Sequence, residues 1–216
     1  MILTNPPFGG EEEKGIQGNF PDDRQTSETA LLFLQLIMRK LKRQSTSAKR
    51  PARAAVVVPD GILSSGGVCG RIKEELLKEF NLHTIVRLPN GVFSPYTPIP
   101  TNLLFFDRSG PTTNIWYYEH PLPEGRKNYS KTKPLQYEEF AQCEKWWGSR
   151  RSNTQAWKVS AKDIVAEGCN LDSKNPKSKL SFEHLPPDQL VKTILEKELQ
   201  IIELVRKIQE SIGVAK

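Results

Sequence analysis

Four consecutive residues near the start of the chain, Asn5-Pro6-Pro7-Phe8, have the types and order that methyl transfer to an exocyclic amino group requires. The nitrogen of such a group is a poor nucleophile because its lone pair is delocalised into the ring. The side-chain oxygen of Asn5 can accept a hydrogen bond from one N–H of this group. The carbonyl of Pro6, held by the stiff Pro-Pro pair, can accept a hydrogen bond from the other N–H. Phe8 offers a flat face on which a base can stack. We therefore expect Asn5, Pro6, Pro7 and Phe8 to be catalytic, acting on a base flipped out of its duplex.

The same four residues could form only a turn that ends a strand, since Asn and Pro favour turns for local reasons. Their surroundings favour the catalytic interpretation, because residues 1–4 are typical of the end of a buried strand and residues 30–38 predict a buried helix. The sequence has no Pro-Cys dipeptide, which argues for N-methylation and against methylation of cytosine C5.

Behind this motif, strands and helices alternate in the rhythm of a layered α/β sheet. Further strands are predicted at 54–58, 83–88, 101–106, 115–119 and 156–159, and helices from residue 26 or 27, at 71–80, at 137–147 and at 187–213. Ser27 is the expected N-cap of the first helix, and residues 61–70 are expected to be turns. The strands at 83–88 and 101–106 are joined by a 12-residue loop without a helix, so we expect them to pair antiparallel.

The loop at residues 89–100 follows a strand, and open α/β sheets bind ligands at the carboxyl ends of their strands. Phe93 and Tyr96 are therefore candidate substrate-binding residues that help to line the base pocket. The alternative is that these aromatic residues plug an edge of the core. The seven basic residues between Arg39 and Arg53 fall on the opposite rim, where we interpret them as charges near a helix C-terminus rather than as phosphate contacts.

Composition limits the class of protein without naming its ligand. The 216 residues include 31 Lys and Arg against 25 Asp and Glu, and the formal net charge of +6 suits an anionic partner. Three widely spaced cysteines predict reduced thiols, and the scattered histidines predict no metal site. No apolar stretch approaches the ~20 residues that span a bilayer and no signal peptide is visible, so we expect a cytoplasmic protein that does not enter a membrane.

The last helix, predicted at 187–213, carries apolar residues at heptad spacing and a balanced set of charges. The heptad positions are occupied by Val191, Glu198, Val205 and Ile212 and by Ile194, Ile201 and Ile208. We expect this seam to pack on another helix, in a partner or in a second copy of the chain. The alternative is that it packs on its own domain.

Several longer motifs give the chain a resemblance to a known family. The matching pieces, in the family's order, are residues 4–9 (TNPPFG), 53–61 (RAAVVVPDG), 88–93 (LPNGVF), 99–102 (IPTN), 115–121 (IWYYEHP), 129–134 (YSKTKP) and 170–176 (NLDSKNP). The chain resembles the C-terminal portion of the modification (methyltransferase) subunit of a type I restriction-modification system, in the N6-adenine DNA methyltransferase family. Asn-Pro-Pro-Phe alone is shared with guanine-N2 rRNA and glutamine methyltransferases, whereas the later pieces are much more specific.

This resemblance implies the C-terminal half of a class I, Rossmann-like methyltransferase sheet, with S-adenosylmethionine as the methyl donor and DNA as the substrate. It divides the chain into the second half of the catalytic domain (1–110), a small α+β extension that ends in a polar linker (111–180) and an amphipathic docking helix (181–216). The implied partners are the specificity and restriction subunits of the same system. The helix at 187–213 would dock the specificity subunit, or self-associate when that partner is missing.

One departure from the family is large. The family's Gly-rich cofactor loop and its acidic ribose-binding residue precede Asn-Pro-Pro-Phe, so we expect the cofactor-binding residues upstream of Met1. The chain would then be a fragment that, alone, neither binds the cofactor well nor methylates DNA. Two alternatives stay open: a non-catalytic subunit-interaction module from a truncated gene, and an RNA or protein methyltransferase that shares the tetrapeptide.

Overall fold

Within the part of the chain that the structure describes, six strands form one mixed sheet. The structure, a computed structural model, describes residues 1–42, 51–177 and 187–211. The strands are β1 (Ile2–Thr4), β2 (Arg53–Pro59), β3 (Asn81–Arg87), β4 (Thr101–Asp107), β5 (Asn114–Glu119) and β6 (Ala156–Ser160). They lie side by side in the order β1-β2-β4-β3-β5-β6. Every strand predicted from the sequence is present, with bounds that move by no more than about two residues.

The pairing directions bring several strand ends to one edge of the sheet. β1 is parallel to β2, and β3 is parallel to β5. β4 runs antiparallel to both β2 and β3, which confirms the antiparallel pairing predicted for β3 and β4. We call the edge where β1, β2, β3 and β5 end and β4 begins the carboxyl edge. The amino edge is the opposite one, where β3 begins and β4 ends.

The helices differ from the sequence prediction mainly where they are short. Those described are α1 (Lys14–Gln17), α2 (Thr29–Lys40), α3 (Gly61–Ser64), α4 (Gly67–Glu79), α5 (Ala141–Ser149), α6 (Ala161–Ala166) and α7 (Pro187–Ser211), with 3-10 turns at Asp22–Arg24 and Tyr137–Phe140. The predicted Ser27 cap is wrong, because α2 begins after Glu28 and has no side-chain cap. Residues 61–70 contain α3 and the start of α4 instead of turns alone. No pattern predicts α6, since six residues are too few to show a helical period.

Two hydrophobic clusters, one on each face of the sheet, hold strands and helices together. One face packs against α2 and α4, and Ile72, Leu76 and Leu77 of α4 are buried there. The other face packs against α5, where Tyr118 of β5 meets Trp146. Each fully buried side chain of this size stabilises the fold by roughly 1.5–3 kcal/mol. The loops at the strand ends are therefore anchored to a sheet that is well packed on both faces.

The chain divides into two compact units, Met1–Ser178 and Lys179–Lys216. Because β5 and β6 belong to the same sheet as the other strands, residues 114–160 extend the first unit, and the predicted boundary near residue 110 stays a prediction. The second unit contains α7, whose large apolar side chains are 44% to 67% exposed where they are described. Ile212 of the predicted seam lies outside the described residues. None of the described helices has the length and apolar character needed to cross a membrane.

Candidate active site

The turn predicted to be catalytic leaves the sheet at the carboxyl edge. β1 ends at Thr4, and Asn5 follows directly. Asn5 and Pro7 are exposed, whereas Pro6 is buried and fixes the turn on the fold. In the described parts of the chain, nothing forms a hydrogen bond with the Asn5 side chain. Its amide is therefore free to bind a ligand.

Phe8 lies against Phe93 of the loop between β3 and β4. Their ring centroids are 4.9 Å apart and their planes meet at 83°, so the edge of one ring contacts the face of the other. Both rings are half-buried. Tyr96, from the same loop, is 92% exposed and has no ring contact with the described residues. The structure thus brings together two of the three aromatic residues singled out from the sequence.

An ion-pair cluster that no local sequence pattern predicts occupies the same edge. Arg87 Nη2 lies 2.7 Å from Asp172 Oδ1 and 3.4 Å from Asp60 Oδ1. Asn102 donates from Nδ2 to the same Asp60 oxygen, at 3.1 Å. The side chains of Arg87 and Asp172 are only 15% and 18% exposed, so their attraction is weakly screened by water. The one signal in the sequence is that Asp60, Asn102 and Asp172 all lie in the motifs that carry the family resemblance.

Residues 170–177, the described part of the predicted polar linker, are docked along the carboxyl edge. Arg87 donates to the Ser173 carbonyl at 2.9 Å, and the Tyr117 hydroxyl donates to the Leu171 carbonyl at 3.0 Å. Burial alone would raise the pKa of Asp172, but hydrogen bonding to Lys174 and the charge of Arg87 outweigh it, and the pKa lies below its usual value. Asp172 is therefore ionised at neutral pH and ties this segment to the end of β3.

The amino edge carries a cavity of about 650 Å³ between α2 and α4, away from Asn5. Its lining cations all have partners: Arg24 pairs with Glu75, Lys78 with Glu74, Arg39 with the Asn19 carbonyl, Arg71 with the Asp23 carbonyl and Arg108 with the Met38 and Leu41 carbonyls. Arg43, Lys49 and Arg50 of the basic run lie outside the described residues. A second cavity, of about 420 Å³, lies beside His83 and Trp147. Neither cavity includes a residue predicted to bind the substrate.

Two common kinds of binding site, a metal cluster and a Gly-rich nucleotide turn, are not found among the described residues. Among them, no group of three or more His, Cys, Asp or Glu side chains could hold a metal ion. Burial raises the pKa of the Cys69 and Cys143 thiols to about 11, so neither is a reactive thiolate at neutral pH. No described strand is followed by a G-x-G-x-x-G turn at a helix N-terminus.

Comparison with known proteins identifies the family. Residues 1–184 match the model of the N-6 DNA Methylase family. The chain belongs to this family. The chain is 51% identical, over all of its length, to the methylase subunit of the type I restriction enzyme EcoEI from Escherichia coli. It is 33% identical, over 68% of its length, to the methylase subunit of the type I restriction enzyme EcoKI from Escherichia coli strain K12. The chain spans only 44% and 27% of these two relatives.

Solved structures of the family have the same fold. A modification subunit of a putative type I restriction enzyme from Vibrio vulnificus YJ016 matches 85% of the chain with a TM-score of 0.80 and 64% identity, over 39% of its own length. A chain from a study of assembly and conformational transition in the type I restriction-modification system matches all of it with a TM-score of 0.77 and 40% identity, over 45% of its own chain. The family resemblance predicted from the motifs is confirmed, and so is a mixed α/β sheet of the kind found in type I modification subunits.

Proposed function

We propose that this chain is the target-base half of an adenine-N6 DNA methyltransferase, the modification subunit of a type I restriction-modification complex. The observation that carries the proposal is the exposed and unbonded Asn5 amide at the carboxyl edge, three residues before the Phe8 ring that meets Phe93. A hydrogen-bond acceptor and an aromatic surface on the same short segment suit a planar base that bears an amino group.

Asn5 and Pro6 act on the amino group of a flipped adenine. The Asn5 side-chain oxygen and the Pro6 carbonyl each accept a hydrogen bond from one N–H of this amino group. These two hydrogen bonds draw the nitrogen lone pair out of conjugation, and Pro7 fixes the conformation of the turn. As the methyl group arrives, positive charge develops on this nitrogen and both hydrogen bonds strengthen. They therefore stabilise the transition state more than the bound substrate, which is what accelerates the reaction.

Phe8 holds the flipped base, and Phe93 supports Phe8 from the side. Taking a base out of a duplex costs a few kcal/mol. Stacking on an aromatic side chain recovers roughly 1–3 kcal/mol per base, so the Phe8 face offsets much of that cost. Tyr96, which is exposed on the same loop, is in a position to contact the DNA strand around the flipped base.

The methyl donor in this proposal is S-adenosylmethionine, which supplies the methyl group when it is bound. We place its binding residues outside this chain, because no described strand is followed by a G-x-G-x-x-G turn and the chain spans 44% of its EcoEI relative. The isolated chain should therefore be inactive and bind this cofactor weakly. Isothermal titration calorimetry measures this directly, and micromolar binding to the isolated chain would contradict the placement.

For α7, we propose docking on the specificity subunit within a complex that also holds the restriction subunit. The apolar side chains of α7 are largely exposed, among them Ile194 and Ile201 at 57% and 60%. Ile201→Asp puts a charge in the middle of this seam, whereas Gln200→Asp puts the same charge on the polar side of the helix. The first variant should weaken copurification with the specificity subunit at least tenfold, and the second should not. If Ile201→Asp instead dissociates an oligomer of the chain itself and leaves copurification with the specificity subunit unchanged, α7 serves self-association.

A second candidate function is a non-catalytic interaction module, which the exposed seam of α7 would also suit. An RNA or protein substrate receives less support, because the matching family is one of DNA methylases. The two candidates differ in what they require of Asn5, since only the catalytic one uses its amide.

Replacing Asn5 in the complete subunit, assembled with its partners on DNA, tests the proposed function. Asn5→Ala should lower the methylation rate at least about 100-fold, because one positioned transition-state hydrogen bond contributes roughly 3 kcal/mol. Asn19→Ala removes an exposed amide beside the amino-edge cavity and should leave the rate unchanged. Transfer of labelled methyl groups to DNA gives the rate. A normal rate of methyl transfer in the Asn5→Ala variant would exclude the catalytic function proposed here and leave the non-catalytic interaction module.

A further inference from the structure

The loop that carries Phe93 is held by a second loop, at residues 121–134. The backbone N–H of Tyr129 donates to the Asn90 carbonyl at 3.0 Å. Gly91 follows with a φ of 80°, and a Cβ at this position would lie 2.2 Å from the Tyr129 carbonyl oxygen. No side chain fits there, so the two backbones touch only because residue 91 is glycine.

Tyr129 is itself fixed by burial and by one hydrogen bond. Its side chain is fully buried, and its hydroxyl donates to Glu139 Oε2 at 2.5 Å. The other oxygen of Glu139 accepts the backbone N–H of Gln136 in a capping box. The bond from Tyr129 is the largest cause of a lowered pKa at Glu139, so the acceptor is an ionised carboxylate at neutral pH. Hydrogen bonds to ionised acceptors are among the stronger ones in proteins.

Hydrogen bonds inside the first loop transmit the position of Gly91 to Phe93. The Ser94 N–H donates to the Gly91 carbonyl at 3.0 Å, and the Tyr96 N–H donates to the Phe93 carbonyl at 2.9 Å. Phe93 therefore stands on a turn whose first residue is clamped against Tyr129. The ring of Phe93 then meets Phe8 at 4.9 Å.

We propose that Tyr129 is a positioning residue of the base pocket: held by Glu139, it clamps the backbone at Asn90 and Gly91 and thereby sets Phe93 against Phe8. This inference rests on the proposed function of Phe8 as the stacking surface for the target base. Tyr129 acts through Phe93 and has no direct role in the chemistry. Because the clamp already restricts the Phe93 ring that supports Phe8, the pocket loses less conformational entropy when the base binds.

Three variants separate positioning from general stability. Tyr129→Phe removes only the hydroxyl that Glu139 holds, and Gly91→Ala drives a Cβ into the Tyr129 carbonyl. The matched control is Tyr137→Phe, because Tyr137 also donates to a carboxylate, Glu144 Oε1 at 2.7 Å, but is 73% exposed. In the chain labelled at phenylalanine, the NOE between the Phe8 and Phe93 rings should weaken severalfold in the first two variants and persist in the control.

A second readout tests what the positioning does. In the complete subunit, assembled with its partners, Tyr129→Phe should lower kcat/KM for DNA methylation about tenfold, because a small misplacement of a positioning group is costly. It should also lower the fluorescence gain of 2-aminopurine placed at the target base. Tyr137→Phe should stay within about twofold of the wild type in both measurements. Glu139→Gln keeps an acceptor for the hydroxyl and should retain most of the NOE and of the activity.

The two readouts fail in different ways. An unchanged Phe8–Phe93 NOE in both Tyr129→Phe and Gly91→Ala would overturn the positioning role and leave the function proposed for Asn5 and Phe8 intact. If the NOE is lost but methylation stays normal, Phe8 does not line the base pocket, and the clamp does not serve the function proposed for it. Should Tyr129→Phe fail to fold, Gly91→Ala takes its place against the Tyr137→Phe control, and an unchanged NOE in Gly91→Ala then overturns the positioning role.

Discussion

The two edges of the sheet use polar side chains for opposite purposes. At the amino edge, each described cation that lines the 650 Å³ cavity is paired with a carboxylate or a backbone carbonyl. At the carboxyl edge, neither of these two cavities includes Asn5, yet the Asn5 amide is exposed and makes no hydrogen bond with the described residues. Unused hydrogen-bonding capacity, rather than the volume of a depression, marks the candidate site.

The charged side chains at the same edge form a cluster of their own, Arg87 with Asp60 and Asp172, which we call the frame. Arg87 joins Asp60, at the end of β2, to Asp172 in the docked segment. The opposite charges of these groups offset one another, so the cluster ties the strand ends together. Asn5 and the Phe8–Phe93 pair are left to bind. Variants at the carboxyl edge should therefore separate binding residues from frame residues, and variants at the amino edge should affect stability alone.

The largest difference between the edges is expected for two half-buried phenylalanines. Phe8→Ala in the complete subunit should lower kcat/KM for DNA methylation about 10- to 100-fold, since stacking on one base contributes roughly 1–3 kcal/mol. Phe20→Ala removes a ring that faces Arg39 at 5.7 Å beside the amino-edge cavity, and should leave kcat/KM nearly unchanged. Steady-state kinetics with varied DNA concentration measures both. Equal losses in the two variants would mean that the edges do not differ in function.

The contrast between the edges also explains what the sequence could predict. Asn5 to Phe8 are contiguous, so a local motif carries the chemistry and is visible without a structure. The strands and the inward face of α4 follow from short-range periodicity, and the antiparallel pairing of β3 and β4 follows from the length of one loop. Each of these depends on residues that are close together in the chain.

Contacts between distant segments are a different matter. The pairs of Arg87 with Asp60 and Asp172, and the contact between Gly91 and Tyr129, form only when the sheet brings separate loops together. The composition of residues 170–177 predicts a polar linker, whereas polar contacts dock this segment on the sheet. Arg87 donates to the Ser173 carbonyl, and Asn175 donates to Glu119. The same argument from the loop predicts both Tyr96 and Phe93, because sequence spacing does not tell which of two loop aromatics turns toward Phe8.

An intermediate effect is expected for the frame itself. Arg87→Met leaves Asp60 and Asp172 without their shared cation and should lower the free energy of unfolding by about 2 kcal/mol, somewhat less than for a fully buried pair. Lys78→Met breaks the exposed pair with Glu74 near the amino edge and should leave the free energy of unfolding nearly unchanged, because water screens this pair. Urea denaturation of the isolated chain gives both values. A larger loss for Lys78→Met would reverse the roles of the two edges.

The smallest effect concerns the pH dependence of stability, and it originates near the amino edge. Burial, and then the positive charge of Arg150, lower the pKa of His83 from 6.5 to about 4. The unfolded chain therefore binds more protons than the folded chain between about pH 6.5 and pH 4. Stability contributed by neutral His83 is complete above pH 6.5 and is lost as the pH falls through this window.

Replacing His83 with Gln should remove that dependence. Between pH 7 and pH 5.5 the wild-type chain should lose about 1 kcal/mol of unfolding free energy to this one group, and His83→Gln should not lose it. His120, at the carboxyl edge, also has a pKa lowered by burial, so His120→Gln is the matched variant. Urea denaturation at the two pH values measures each slope. If only His120→Gln flattens the profile, the proton-sensitive group belongs to the carboxyl edge, and the amino edge is not where pH acts on stability.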